Sequence, residues 1–225
     1  MGTRLFVWLG GALFVGSLAY CTWWYAVALG APAPGPSWPA VAGDALLVGV
    51  FAVHHSVFAR EGVKARLAHV MPQPLLRSVY VWIASLLLIA LCALWVRVGG
   101  DLYRAAGWIR LVHIAVQLYG VWLIVQAVRG IDPLELAGIR RETGRGPLQI
   151  RGPYAWVRHP LYFGWVLAVF GAAHMTGDRL AFAAITTGYL VIAIPWEERS
   201  LMRVFGEDYA RYTRAVRWRL IPFIY

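Results

Sequence analysis

Long apolar runs constrain the fold of this chain more than any other feature. Of its 225 residues, 60% are hydrophobic and 14% are charged, and the mean hydropathy is +0.60. A water-soluble domain of this length needs more polar surface, whereas runs of about 17 to 25 apolar residues are long enough to cross a hydrocarbon core of about 30 Å. The composition therefore predicts an all-α integral membrane protein.

Six apolar runs are expected to form transmembrane helices. They fall near residues 5–29, 39–58, 77–98, 108–129, 160–176 and 180–198. The run at 160–176 is short, so five spans are the alternative count. No internal repeat or low-complexity tract interrupts the sequence, which predicts one membrane domain over residues 1–225.

The basic residues indicate how the helices are oriented. If both termini face the cytoplasm, 17 of the 21 Lys and Arg lie on that side, and only Arg97, Arg104, Arg110 and Arg179 lie outside. This asymmetry follows the positive-inside rule and fits a bacterial inner membrane. The net charge of +10 is then explained by attraction to anionic lipid rather than by nucleic-acid binding, because the arginines lie at span ends.

An Arg-His-Pro triplet precedes the apolar run at 160–176. Pro160 suits the first turn of a helix, where its missing N–H is not needed, and this puts His159 near the N-cap. The positive end of the helix and the charge of Arg158 would together favour an anion, such as the carboxylate of an amino-acid-like cofactor. The structural alternative is that Arg158 anchors the helix at the lipid headgroups while His159 caps it.

Two adjacent carboxylates, Glu197 and Glu198, are expected to close the last apolar run. On a helix they project about 100 degrees apart, so one can face a pocket while the other pairs with an arginine. A carboxylate in a pocket could hold a cofactor's ammonium or ribose hydroxyls. The alternative is an interfacial salt bridge with Arg199 or Arg203.

The segment after these carboxylates predicts an amphipathic helix at the membrane interface. Apolar residues recur at helical spacing between polar arginines, with Gly206 as a break. The apolar positions are Leu201, Phe205, Tyr209, Tyr212 and Val216. This helix would either cover a cofactor or anchor the tail to anionic lipid.

The motifs resemble those of a known family. The run GPYAWVRHPLYFG, residues 152–164, followed by EERSLMRVFGEDYARY, residues 197–212, is similar to the signature of the membrane methyltransferases of the isoprenylcysteine carboxyl methyltransferase and phospholipid methyltransferase type. HHSVFAR (His54–Arg60), IDPLELAGIRR (Ile131–Arg141) and HMTGDRLAFA (His174–Ala183) resemble the methanethiol S-methyltransferase branch and also denitrification-associated membrane proteins. Within this likeness, His54 and Ala137 stand where methanethiol enzymes usually have Gln and Phe.

The resemblance implies a methyltransferase that binds S-adenosylmethionine on the cytoplasmic side, within residues 129–225. The absence of a GxGxxG motif after a strand agrees with a helical cofactor site. The implied cofactor-binding residues are Tyr154, Val157, Arg158, His159, Pro160, Tyr162, Gly164, Glu197 and Glu198. The implied catalytic residues are Arg158, His159 and Glu198, with His55 as a further candidate.

The chemistry requires little from the protein beyond positioning. Methyl transfer from a sulfonium is an in-line displacement, so holding the nucleophile close and aligned supplies much of the acceleration. The acceptor is expected to be a small thiol or a lipophilic molecule that enters from the bilayer. Arg158, Arg217 and Arg219 could favour a thiolate, and His55 or His159 could accept a proton.

Two functions from other classes remain as alternatives. A haem or metal protein could use His55 with His113, but these residues lie near opposite ends of their predicted spans, on the order of 20 Å apart. A transporter or accessory subunit could use Asp44, Gln117 and Gln126, which could equally serve interhelical hydrogen bonds. Cys21 and Cys92 are expected to be packing residues, and the sequence predicts no metal site.

Overall fold

The structure is a computed structural model that describes residues 2–33, 35, 37–58, 61–69, 71–130, 132–140 and 146–225. Arg60, Ile131 and Arg141, which bound two of the motifs quoted above, lie outside the described residues. The described chain forms two compact units. The first comprises Met1–Gly99 and Ile131–Gly144, and the second comprises Gly100–Gly130 and Arg145–Tyr225.

Helices account for most of the described chain, as predicted. In chain order the elements are α1 (Gly2–Trp23) with a π-helical extension (Trp24–Ala28), α2 (Trp38–Phe58), α3 (Glu61–Leu67), α4 (Gln73–Leu94), β1 (Asp101–Arg104), α5 (Gly107–Val128), α6 (Pro133–Leu136), a 3₁₀ turn (Gly152–Ala155), α7 (Pro160–Phe170), β2 (His174–Thr176), α8 (Gly177–Phe205) and α9 (Glu207–Ala215). Five of these helices are long and apolar enough to cross a membrane: α1 with its extension, α2, α4, α5 and α8. The all-α membrane fold is therefore confirmed, with five helices of spanning length.

The helix α7 covers only part of the predicted span at 160–176. It has 11 residues, which reach only about 17 Å, so the helix alone is shorter than the hydrocarbon core. The helix ends at Phe170 with Gly171 as its C-cap, and the chain continues to β2, which pairs antiparallel with β1. This small sheet was not predicted, because strands of four and three residues are too short to show a periodic pattern.

In the first unit, buried side chains bond to backbone groups and tie the helices together. The Trp82 indole N–H donates to Phe6 O at 3.1 Å, and the Ser78 hydroxyl donates to Gly138 O at 2.6 Å. Asp44 is fully buried, and its Oδ1 accepts from the Val96 N–H at 2.9 Å. Because that N–H is taken by Asp44, α4 ends at Leu94 rather than at the predicted residue 98. Asp44 therefore joins α2 to the chain just after α4 by a hydrogen bond.

In the second unit, α5 and α7 pack closely through glycines. A Cβ added to Gly120 would lie 2.5 Å from Gly164 O, and one added to Gly164 would lie 2.6 Å from Gly120 O. The Gln117 side chain donates to Ala168 O at 2.8 Å. Small residues and side-chain-to-backbone hydrogen bonds are typical of helix contacts in membranes. The close approach sets where α7 begins relative to the rest of the unit.

The helix α8 extends further than the sequence predicted. Thr176 caps it, accepting a hydrogen bond from the Arg179 N–H at 3.2 Å, and it continues to Phe205 rather than ending at residue 198. Glu197 and Glu198 therefore lie within the helix, about 30 Å from its start at Gly177, which is near the edge of a hydrocarbon core. The last two turns of the helix, which end at Phe205, extend past that distance.

The break predicted at Gly206 is present. Its φ of 52° is a conformation that favours glycine, and α9 follows at once. Tyr209, Tyr212 and Val216 are buried together against Leu201 and Phe205. The apolar residues predicted after the carboxylates thus belong to the end of α8 and to the segment that begins with α9, and they pack against one another.

Candidate active site

The start of α7 is fixed by backbone hydrogen bonds. Pro160 is the first residue of the helix and His159 occupies the N-cap position, as predicted. The N–H groups of Arg158 and His159 donate to the carbonyls of Trp218 and Arg219, each at 2.9 Å. The segment after α9 therefore fixes the backbone from which both side chains project.

The imidazole of His159 lies between the two carboxylates of α8. Its Nδ1 is 3.5 Å from Glu197 Oε2, and its Nε2 is 3.5 Å from Glu198 Oε1. Two adjacent helical residues cannot point in one direction, but an imidazole presents nitrogens on two sides and can approach both. Tyr162 stacks on the imidazole with ring centroids 5.4 Å apart and planes 9° apart.

Glu198 is the centre of the charged cluster. Its Oε1 lies 3.0 Å from Arg158 Nε, and its Oε2 accepts from Arg219 Nε at 3.1 Å. The side chains of Glu198 and Arg158 are 12% and 11% exposed, so water screens this pair weakly. These partners differ from the predicted Arg199 or Arg203; the Arg199 guanidinium lies over the Trp196 ring at 4.6 Å.

Several polar atoms of this cluster are buried without a hydrogen bond. Within the described residues, Arg158 Nε, His159 Nε2, Glu198 Oε1 and Tyr209 Oη have no partner of suitable geometry, although Arg158 Nε and Glu198 Oε1 are at ion-pair distance. A buried polar group without a partner costs about 1–3 kcal/mol. The cluster therefore has donors and an acceptor that a zwitterionic ligand would satisfy.

The protonation of His159 follows from its neighbours. Burial lowers the pKa of the imidazole, but the carboxylates of Glu197 and Glu198, each 3.5 Å from a ring nitrogen, outweigh burial and raise the pKa of His159 above its usual value. The two carboxylates therefore favour the imidazolium, which presents an N–H group to each of them. Burial also raises the pKa of Tyr209, which keeps this phenol a hydrogen-bond donor.

Three of the predicted site residues make contacts that are structural. The Tyr154 hydroxyl donates to Ala127 O at 3.3 Å. Val157 is 1% exposed and is packed in the interior. Gly164 faces Gly120 on α5. Their predicted roles as cofactor contacts stay predictions.

The histidines of the alternative haem hypothesis have other contacts. His55 belongs to the first unit, where its Nδ1 lies 2.8 Å from the Tyr80 hydroxyl. In the second unit, His113 Nδ1 donates to Gly171 O at 3.2 Å. Over the ranges that the structure describes, no three His, Cys, Asp or Glu side chains are grouped to hold a metal ion.

Sequence reasoning missed the specific partner of Glu198. Arg219 was expected only as one of several arginines that supply a positive field, and Tyr225, whose hydroxyl accepts from Arg219 at 3.2 Å, was not considered. The basic segment around Arg219 was the only sequence feature that pointed to this residue, and no sequence pattern points to Tyr225. The hydrogen bonds of Arg219 to Glu198 and Tyr225 depend on a turn that brings Arg219 and Tyr225 back to the start of α7.

The chain is similar in sequence to known methyltransferases. Residues 108–208, which include nearly all of α5, the whole of α7 and both carboxylates, match the phospholipid methyltransferase family. Methanethiol S-methyltransferases of Crocosphaera subtropica and Mycobacterium tuberculosis are each 35% identical to the chain, covering 80% and 84% of it and 74% and 80% of their own lengths. A protein-S-isoprenylcysteine O-methyltransferase B of Arabidopsis thaliana is 33% identical over 40% of the chain and 46% of its own length. No solved structure matches the chain.

The apolar helices and the match to a methyltransferase family define the class of this protein, an integral membrane methyltransferase. The chain belongs to the methyltransferase family of the phospholipid and isoprenylcysteine type, which includes the methanethiol S-methyltransferases.

Proposed function

We propose that this chain is an integral membrane methyltransferase that uses S-adenosylmethionine to methylate a small thiol. The observation that carries the proposal is the largely buried cluster of Arg158, His159 and Glu198, with the exposed Glu197 at its edge, in which buried polar atoms of opposite charge lack hydrogen-bond partners among the described residues. The relatives named methanethiol S-methyltransferase support the choice of a thiol, because they are similar over most of the chain.

The donor set of the cluster fits this methyl donor. Glu198 Oε1 would accept from its ammonium or ribose hydroxyls, and Arg158 Nε with the imidazolium of His159 would donate to its carboxylate. S-Adenosylmethionine supplies a methyl group on a sulfonium, which passes in line to the acceptor without a covalent enzyme intermediate. The protein's part is to hold these charges in fixed positions in a region sheltered from water.

A thiol acceptor must lose its proton before it attacks. His159 is poorly suited as the base, because its two carboxylate neighbours favour the imidazolium, which has no free lone pair. The cluster instead provides positive groups at Arg158, Arg219 and His159, and nearby cations lower a thiol pKa. The thiolate would form by release of its proton to water, favoured by this field.

The membrane arrangement follows from the same account. The positive-inside pattern supports a cytoplasmic position, in a bacterial inner membrane, for both termini and the cluster. With five spanning helices, this requires residues 160–176 to cross the bilayer as a further passage, formed by α7 and the short stretch that leads to β2. S-Adenosylmethionine would then reach the site from the cytoplasm, while a small apolar thiol could arrive through the lipid.

A lipophilic acceptor is the second candidate. It is favoured by the similarity to the Arabidopsis isoprenylcysteine methyltransferase, which covers 40% of the chain. A panel of methanethiol, longer alkyl thiols, prenylcysteines and amine lipids, each incubated with methyl-labelled donor and protein in nanodiscs, separates the two. Labelled dialkyl sulfide as the main product supports the thiol, whereas label in prenylcysteine or lipid supports the second candidate.

The donor site is tested by calorimetry with S-adenosylmethionine on detergent-purified protein. We expect saturable binding by the wild type and a loss of at least tenfold in affinity for Glu198→Gln, because removal of a buried charge partner costs about 1.4 kcal/mol or more. The matched control is Glu207→Gln, which makes the same change in an exposed ion pair with Arg214. Equal affinity in all three proteins, or no binding by folded wild type, would contradict the proposal.

A further inference from the structure

The segment after α9 forms a closed turn against the start of α7. Its carbonyls at Trp218 and Arg219 accept the N–H groups of Arg158 and His159. The Leu220 N–H then donates to Tyr225 O at 2.8 Å, and the Tyr225 N–H donates to Ile221 O at 3.1 Å. Tyr225 is therefore brought back next to Arg219.

The turn contains a backbone conformation that is unusual for its residue. Phe223 has a φ of 67°, in the left-handed region that favours glycine, and its side chain is 84% exposed. A bulky residue adopts this conformation only where the surrounding structure requires it. The requirement is the closure that puts Tyr225 on Arg219.

Tyr225 contacts the guanidinium of Arg219 in two ways. Arg219 Nη1 donates to the Tyr225 hydroxyl at 3.2 Å, and the guanidinium carbon lies 5.4 Å from the centre of the Tyr225 ring. Arg219 Nε meanwhile donates to Glu198 Oε2 at 3.1 Å. The guanidinium is thus held between the phenol and the carboxylate, and its direction is fixed from both sides.

We infer that Tyr225 is a positioning residue of the methyl-donor site. By holding Arg219, it sets the rotation of the Glu198 carboxylate, whose other oxygen, Oε1, is the buried acceptor without a hydrogen-bond partner in the described chain. This inference rests on the proposed function, because the acceptor matters only if the donor binds there.

Because Arg219 is partly exposed, an effect of Tyr225 on ligand positioning can be distinguished from an effect on folding stability. Its side chain is 37% exposed, and a partly exposed ion pair adds little to folding stability. Loss of Tyr225 should therefore leave the melting temperature nearly unchanged, while Arg219, and with it the Glu198 carboxylate, is held less firmly in one direction. A ligand that needs Glu198 Oε1 in one direction would bind more weakly.

The test compares Tyr225→Phe, which keeps the ring, and Tyr225→Ala, which removes both contacts, with Ile224→Ala, at a residue 75% exposed in the same turn, as a control. In calorimetry we expect the Kd for S-adenosylmethionine to rise about tenfold in Tyr225→Ala, less in Tyr225→Phe, and not at all in Ile224→Ala. In steady state the KM for the methyl donor should rise while the KM for the thiol stays constant. A role confined to folding would lower the active fraction without moving either KM.

A double-mutant cycle tests whether Tyr225 acts through Arg219. Arg219→Lys loses the planar fork that joins Glu198 to Tyr225, so we expect Arg219→Lys/Tyr225→Ala to bind no more weakly than Arg219→Lys alone. Additive losses, or wild-type affinity in Tyr225→Ala, would overturn the inference and leave the proposed function standing. Failure of the wild type to bind the donor would overturn both.

Discussion

The glycine contact between α5 and α7 should be the most sensitive packing point of the second unit. In Gly120→Ala the new Cβ would lie 2.5 Å from Gly164 O and 2.7 Å from Ala168 N. Carbon and oxygen approach in such contacts to no closer than about 3.3 Å, so the two helices would have to separate by roughly 0.8 Å. The obstructing atoms belong to the backbone and cannot rotate away.

The expected magnitude follows from two opposing effects. Overpacking of a well-packed contact costs about 1–3 kcal/mol, whereas alanine is favoured over glycine inside a helix by at most about 1 kcal/mol. Because backbone atoms obstruct the new Cβ, the upper part of this range, about 2–3 kcal/mol, applies, and the net result is a loss of about 1–2 kcal/mol in the free energy of unfolding. Because α7 begins with Pro160, directly after His159, its displacement should also weaken donor binding.

The assay is the melting midpoint in detergent, with Gly188→Ala as the matched control. Gly188 lies inside α8, and a Cβ added there would meet nothing within 4 Å. We expect Gly188→Ala to melt at or slightly above the wild-type temperature and Gly120→Ala to melt several degrees below it. A Gly120→Ala protein that melts no lower than wild type and keeps its affinity for the donor would refute the reasoning.

Three further changes test the cluster and its support. Arg158→Lys keeps the charge but loses the Nε–H of Arg158, so the Kd for the donor in calorimetry should rise about tenfold or more; an unchanged Kd would be contrary evidence. Because the pKa of His159 is raised on folding, the imidazolium stabilises the protein fully below the unfolded pKa of about 6.5, and this stabilisation is lost as pH rises through the folded pKa. The excess in melting temperature of wild type over His159→Gln should therefore be larger at roughly pH 6 than at roughly pH 9, and an excess that grows with pH would exclude this explanation. Tyr212→Phe removes a hydroxyl that donates to Tyr154 O at 2.8 Å, so the free energy of unfolding should fall by about 1 kcal/mol in denaturant or thermal titration. The control, Tyr119→Phe at an exposed residue, should cause no change. Equal unfolding midpoints for the two variants would mean that the Tyr212 hydroxyl contributes nothing.

The hydropathy pattern predicted the helices well where lipid alone decides their length. The runs expected at 39–58 and 108–129 are the helices Trp38–Phe58 and Gly107–Val128. The pattern was wrong where a tertiary contact ends a helix, as at Leu94, where Asp44 takes the Val96 N–H. A carboxylate on another helix leaves no mark in the local sequence.

The same limit applies to the site. The Arg-His-Pro triplet and the paired carboxylates were identified by residue type and order, and the structure brings His159 to within 3.5 Å of both. The closeness of Gly120 to Gly164 could not be predicted, since a lone glycine in an apolar helix does not reveal its neighbour. Nor could the pairing of Arg219 with Glu198, because it depends on backbone hydrogen bonds to Arg158 and His159.

The most direct test of the account is an experimental structure of the protein with S-adenosylhomocysteine, the demethylated product of the donor. The account predicts that its ammonium or ribose lies within about 3.2 Å of Glu198 Oε1 and that its carboxylate contacts Arg158 or His159. A ligand bound elsewhere in the chain, with Glu198 and Arg158 still facing only each other, would contradict it.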